Sequence, residues 1–258
     1  MRIGIFATAD EASRVGADMI NELFAGNPEA HLGVATGSTP DKLYAHLRAD
    51  HAAGTFSLAK AKAFALDEYV GLDSDHPESY RNVLRRELVG DDKTGLTEEG
   101  LHTPGHGGTF ETPYDAAEAY DEAIADAGVD LQILGIGADG HIGFNEPGGS
   151  LVSRTHVEAL APQTIKDNAR FFDNDESKVP TTCMTQGLAT IMDADKIVLF
   201  AFGEGKSDAV RELVEGAVSA FWPATILQLH PDVTVLVDEA AASQLKLTEL
   251  YRNRWNLQ

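Results

Sequence analysis

Leu131-Gln-Ile-Leu-Gly-Ile-Gly-Ala-Asp-Gly-His-Ile-Gly-Phe-Asn-Glu-Pro147 begins as an apolar run and breaks into four glycines, Gly135, Gly137, Gly140 and Gly143. Between and after them stand an acid, a base and a second acid: Asp139, His141 and Glu146. Glycine lets a backbone turn sharply and approach a ligand with no Cβ in the way. Open α/β sheets keep their chemistry in the crevice beyond the carboxyl ends of their strands. The stretch therefore predicts a buried strand with a proton-moving site at its rim.

The same alternation runs outward in both directions. Apolar, strand-like runs recur at 2–7, 31–35, 61–66, 130–134, 196–202 and 232–237. Segments of helical composition separate them at 10–25, 40–52, 77–88, 113–127, 181–192 and 205–217. Pro40, Pro77 and Pro113 sit where a first helical turn tolerates proline. Strand–helix alternation of this kind predicts a three-layer, Rossmann-like α/β fold: a mostly parallel sheet with helices on both faces. One polar stretch, 143–179, carries no such pattern, and irregular segments of that length are usually lids or binding loops. The expectation is one domain over 1–258 with an active-site lid at about 148–180.

Composition narrows the function. The 258 residues are 43% hydrophobic, enough for a sizeable core, yet no run approaches a membrane span. The N-terminal Met1-Arg-Ile-Gly-Ile-Phe6 is too short for a signal-peptide core. The single cysteine, Cys183, fits a reducing compartment, so the expected location is the cytoplasm. Lys plus Arg number 20 against 41 Asp plus Glu, a net charge of −21 that repels nucleic acid and anionic membranes. An anionic substrate must therefore be held by locally placed cations and backbone N–H groups.

Three motifs carry the chemistry. Gly33-Val-Ala-Thr-Gly-Ser-Thr-Pro40 joins a strand to a helix, so its hydroxyls and free N–H groups suit an anion, although an ordinary N-cap turn reads the same. It is neither a Walker loop nor a dinucleotide fingerprint. Phe64-Ala-Leu-Asp-Glu-Tyr-Val-Gly71 puts Asp67 and Glu68 just past a strand. A carboxylate there can abstract a proton beside a carbonyl if burial raises its pKa, and which of the two acids points inward is left open. The third motif is the Asp139, His141, Glu146 group. It reads as a capped turn, as three metal ligands, or, the better fit, as carboxylates fixing a histidine tautomer for acid–base work. Among scattered basic residues, Arg170 lies in the lid stretch and Lys206 at a strand-to-helix junction. His230, before Pro231, reads as catalytic or, more often, as packed.

Taken in order, these segments resemble the glucosamine-6-phosphate deaminase (isomerase) family. The likeness runs through Thr36-Gly-Ser-Thr-Pro40, Leu66-Asp-Glu-Tyr-Val-Gly-Leu72, His76-Pro-Glu-Ser-Tyr80, Gly135 to Pro147, Ser153-Arg-Thr155, Arg170-Phe-Phe-Asp-Asn-Asp175 and Leu227-Gln-Leu-His-Pro231. It implies conversion of glucosamine 6-phosphate to fructose 6-phosphate and ammonia, with no metal or organic cofactor. By similarity Asp67 is the base that carries a proton between C2 and C1. His141, oriented by Asp139 and Glu146, is the acid that opens the ring. Ser38, Thr39, Arg170 and Lys206 match phosphate ligands, with Thr36 and Gly37 in the same loop and the Gly135 backbone against the sugar. The related 6-phosphogluconolactonases share the fold and a Gly-x-Gly-x-Asp-Gly-His core, so a sugar-phosphate lactone hydrolase is the alternative. Sugar-phosphate sensor domains also share the fold, but nothing here resembles their basic DNA-binding helices.

Two departures from the family pattern stand out. Where allosteric members place basic side chains to bind an N-acetylated sugar phosphate, this chain has His156 and Glu158. The expectation is no activation by that ligand; the same changes put the family's hexamer in doubt, and the expected state is a monomer or homo-oligomer. Ala138 replaces an amide side chain ahead of Asp139, a change expected to alter only turn packing.

Overall fold

The computed structural model describes residues 1–257. The chain begins β1 (Arg2–Phe6), α1 (Ala9–Gly26), β2 (His31–Val34), α2 (Asp41–Ala52), β3 (Lys62–Ala65), β4 (Asp67–Tyr69) and α3 (Tyr80–Leu88). It continues β5 (Leu101–His102), α4 (Pro113–Ala127), β6 (Leu131–Leu134), β7 (His156–Ala159), α5 (Pro162–Asn168) and β8 (Thr182–Thr185). It closes with α6 (Leu188–Met192), β9 (Ile197–Ala201), α7 (Ser207–Glu215), β10 (Val233–Asp238) and α8 (Thr248–Trp255).

Seven strands form one parallel sheet in the order β1-β10-β9-β6-β2-β3-β5. Every residue of β9 and β6 is buried, as expected when helices cover both faces of a parallel sheet. Local sequence starts several of the covering helices. Thr112 and Asp115 form a reciprocal capping box ahead of Pro113, and Gly128 ends α4 at φ +74°. The fold is the predicted three-layer α/β arrangement.

A second sheet departs from the sequence reading. Strands β4, β8 and β7 pair antiparallel, with Asp67 opposite Thr185 and His156 also opposite Thr185. The segment 181–192, of helical composition, is therefore β8 followed by the short α6. Pairing on both edges outweighs the local preference, because strand propensity follows context more than composition. The stretch 143–179 is not irregular either: it holds β7, α5 and two short 3₁₀ turns. It packs over its own small core of Tyr69, Phe144, Leu160, Phe172, Val179 and Cys183. Pro77 lies outside α3, whose N-cap is Ser79. No helix of the described residues is long and apolar enough to cross a membrane.

Candidate active site

From the neighbouring strands β2 and β6 the chain departs in opposite directions, toward β3 on one side and toward β9 on the other. Connections that part in this way open a crevice at the carboxyl ends of the strands. The crevice is a cleft of about 870 Å³, within the usual range for small-molecule sites. Thr36, Gly37, Ser38 and Thr39 line it from the end of β2, and Gly135 from the end of β6. Gly37 adopts φ +87°, a left-handed conformation that glycine takes without strain. Tyr44 on α2 anchors this loop: its hydroxyl donates to the Ala35 carbonyl at 2.7 Å and accepts from the Ala35 N–H at 3.2 Å.

The two adjacent acids of β4 are separated by strand alternation. Glu68 turns away and accepts the backbone N–H groups of Tyr69, Tyr80 and Arg81, each at 2.9 Å, so it caps the start of α3. Asp67 turns into the cleft, 6% exposed, and receives no hydrogen bond from the described residues. Burial, reinforced by the charge of Glu68 and opposed by His141, pushes the Asp67 carboxyl up to about 8.

Facing it is the glycine turn. Gly143 takes φ +58°, and a Cβ there would sit 2.8 Å from Thr185 Oγ1 and 3.8 Å from Asp67 Oδ2. A side chain there would press on the Thr185 hydroxyl and would strain at this left-handed φ, so glycine lets the turn lie against β4 beside the carboxylate. His141 lines the cleft, whereas Asp139 and Glu146 stand behind it. Its Nδ1 lies 2.8 Å from Asp139 Oδ1 and 3.6 Å from Glu146 Oε2. Burial works against a charged imidazole, but the two carboxylates outweigh it and push His141 up to about 9. Burial would likewise raise Asp139, yet its pairing with His141 holds it at about 2. The three groups lie within 4.8 Å of one another, a spacing a metal site would also show. Both acids here converge on one ring nitrogen, which describes a charge-paired imidazole with Nε2 left for the cleft.

Cations close the far end. Lys206, in a 3₁₀ turn ahead of α7, is half-buried; desolvation lowers its pKa while Asp139 and Asp167 oppose the shift. Arg170 reaches the cleft from the turn after α5, its guanidinium 4.7 Å above the Phe171 ring. The sequence reading missed Lys166, which also lines the cleft one helical turn before Arg170. The i, i+4 spacing behind Pro162 was the available signal. His230 is not part of the site. Its Nδ1 accepts from the Asp232 N–H and its Nε2 donates to the Ala194 carbonyl, so the packed reading is the correct one. Arg154 is engaged by Asp121 and Asp193, and His156 pairs with Glu158.

Fold and cleft together define a class: a doubly wound α/β protein with an anion-ready crevice that sets an imidazole against a buried carboxylate. The family described as glucosamine-6-phosphate isomerases/6-phosphogluconolactonase matches residues 6–236, and the chain belongs to it. It is 54% identical over 256 residues to the glucosamine-6-phosphate deaminase of Beutenbergia cavernae, covering 99% of this chain and 97% of that one. The Mycolicibacterium smegmatis deaminase is 50% identical over 256 residues, with the same 99% and 97% coverage. Among solved structures, a monomeric glucosamine-6-phosphate deaminase superposes with a TM-score of 0.89 at 37% identity, over 94% of this chain and 99% of that one. The 6-phosphogluconolactonase of Trypanosoma cruzi gives 0.76 at 21% identity, over 95% and 97%, a likeness of fold alone.

Proposed function

We propose that this chain is a glucosamine-6-phosphate deaminase, converting D-glucosamine 6-phosphate and water to D-fructose 6-phosphate and ammonia. We read it as one domain whose 148–180 segment is a lid over the cleft. The observation that carries the proposal is the approach of the Gly143 turn to Asp67, which sets a buried carboxylate and a charged imidazole on facing walls.

In this reading the phosphate lies against the Thr36–Thr39 backbone and hydroxyls, Arg170 and Lys206. Its binding energy orients a sugar whose reacting carbons are remote from it. His141, held charged by Asp139 and Glu146, gives a proton from Nε2 to the ring oxygen, and the pyranose opens. Asp67, once ionised, removes the C2 proton and returns it to C1. The 2-amino aldose becomes a 2-imino ketose, water adds at C2, and ammonia leaves. The overall change is thus an isomerisation that ends in hydrolysis of a C–N bond. No step calls for a metal or an organic cofactor.

Ammonia and fructose 6-phosphate measured after incubation with glucosamine 6-phosphate test the proposal. Equal amounts of both are expected. A protein that hydrolyses 6-phosphogluconolactone and releases no ammonia would overturn it in favour of the lactonase reading.

A further inference from the structure

The two acids behind His141 are held by different parts of the molecule. Asp139 is fixed within its own turn, where Oδ1 accepts the His141 backbone N–H at 3.2 Å. Glu146 is fixed from the lid. Its Oε1 accepts the Thr164 hydroxyl at 2.7 Å and the Ala161 N–H at 3.4 Å. The other oxygen, Oε2, is buried, has no hydrogen-bond donor among the described residues, and faces His141 Nδ1 at 3.6 Å. Glu146 sits in a loop ahead of Pro147-Gly148, and Thr164, 6% exposed on α5, is its shorter tether.

We propose that Thr164 is a positioning residue: by holding Glu146 Oε1 it keeps Oε2 beside His141 Nδ1, so the seating of α5 and the charging of the imidazole are one linked event. The proposal rests on the proposed role of His141 for its catalytic consequence, though not for its geometry. Lys166 lies on the same helix and Arg170 just beyond it, so a phosphate gripped by the lid also holds Thr164 where it meets Glu146. The other charges acting on this group are Asp67 on β4, against His141, and Lys206 ahead of α7, against Asp139, and neither contacts Thr164 by a hydrogen bond or ion pair among the described residues. Removing the hydroxyl frees Glu146 and leaves the imidazole with Asp139 alone.

The test is an NMR titration of the His141 ring in wild type, Thr164→Val, Thr164→Ser, Glu146→Gln and the double variant Thr164→Val/Glu146→Gln, with pH–rate profiles alongside. In Thr164→Val the His141 pKa falls by about one unit, the usual effect of losing a neighbouring opposite charge. Thr164→Ser restores it. Glu146→Gln alone produces the same fall, and the double variant adds nothing to either, since the two substitutions remove one interaction. The alkaline limb of the rate profile moves with the titration, with kcat reduced about tenfold and KM changed by less than about twofold. A Thr164→Val ring that titrates as wild type, or at higher pH, overturns the proposal, as does additivity in the double variant. Thr164→Ala is read in the same way should the valine variant misfold. If the wild type releases no ammonia the proposed function falls, while the ring titration still decides this inference.

Discussion

Asp67 and Asp139 share one cleft neighbour, His141, yet their surroundings drive them in opposite directions. Asp67 sits on the small antiparallel sheet, largely shielded from water and without a donor among the described residues, and is pushed up to about 8. Asp139 sits on the glycine turn against the imidazole and is held at about 2. Identical side chains thereby become a proton acceptor poised near neutrality and a fixed anion that never takes the proton. Environment assigns the roles, as in other sites where two carboxylates are tuned apart. The strand side of the cleft supplies desolvation and the turn side supplies charge.

The sharpest way to break this contrast is Asp67→Asn. It removes the proposed proton carrier while keeping shape, and kcat is expected to fall by about 10³-fold or more, a large share of what a positioned base contributes. Binding of an unreactive hexitol 6-phosphate, followed by calorimetry, should persist. Turnover at the wild-type rate removes Asp67 from its role.

Asp139→Asn probes the turn side and should be milder, about 10²-fold in kcat, because Glu146 still faces Nδ1. It should also lower the alkaline limb, a shift that Asp67→Asn cannot produce by the same route. If the limb stays fixed, Asp139 does not govern the charge on His141.

The pH profile of kcat/KM sharpens the comparison without any mutation. The base must be ionised, so the rate climbs as pH rises through the Asp67 value near 8. The acid must hold its proton, so the rate declines above the His141 value near 9. The expected result is a narrow bell on the alkaline side of neutrality, its two limbs belonging to the coupled pair. A plateau extending below pH 6 contradicts a raised Asp67.

The smallest expected effect is none. Arg154 is paired with Asp121 and Asp193, and Glu158 presents a negative charge beside His156. N-acetylglucosamine 6-phosphate should leave initial rates within about twofold, since among the described residues of this segment each cation is already paired with a carboxylate and none is left to offset its phosphate. A several-fold rise refutes this reading of the 154–158 segment.

Much of the candidate site's wall was legible in the chain. The glycine spacing around Asp139 and His141 and the Thr36–Thr39 turn are fixed by residues a few positions apart, unlike the 181–192 segment, whose local preference gave way to pairing with β4 and β7. The lid was legible only as a gap in the pattern. Its strand and helices are short, and its core draws Tyr69 and Cys183 from elsewhere in the chain. Thr164 was missed for that reason, since an isolated seven-residue helix has too few turns to show a period, and Lys166 was signalled only by its four-residue spacing from Arg170.

By itself the sequence determined the alternation of strands and helices, hence the parallel sheet, and the residue types available at its rim. Hydrophobic periodicity and glycine placement are written residue by residue, which is why they can be read without coordinates. Only the tertiary structure decided that Asp67 faces the cleft while Glu68 caps α3, and that Asp139 and Glu146 meet on one nitrogen. Those outcomes depend on which strand pairs with β4 and where the lid comes to rest. Desolvation and charge pairing act through space between segments far apart in the chain, so the proton affinities that separate base from acid exist only once it has folded.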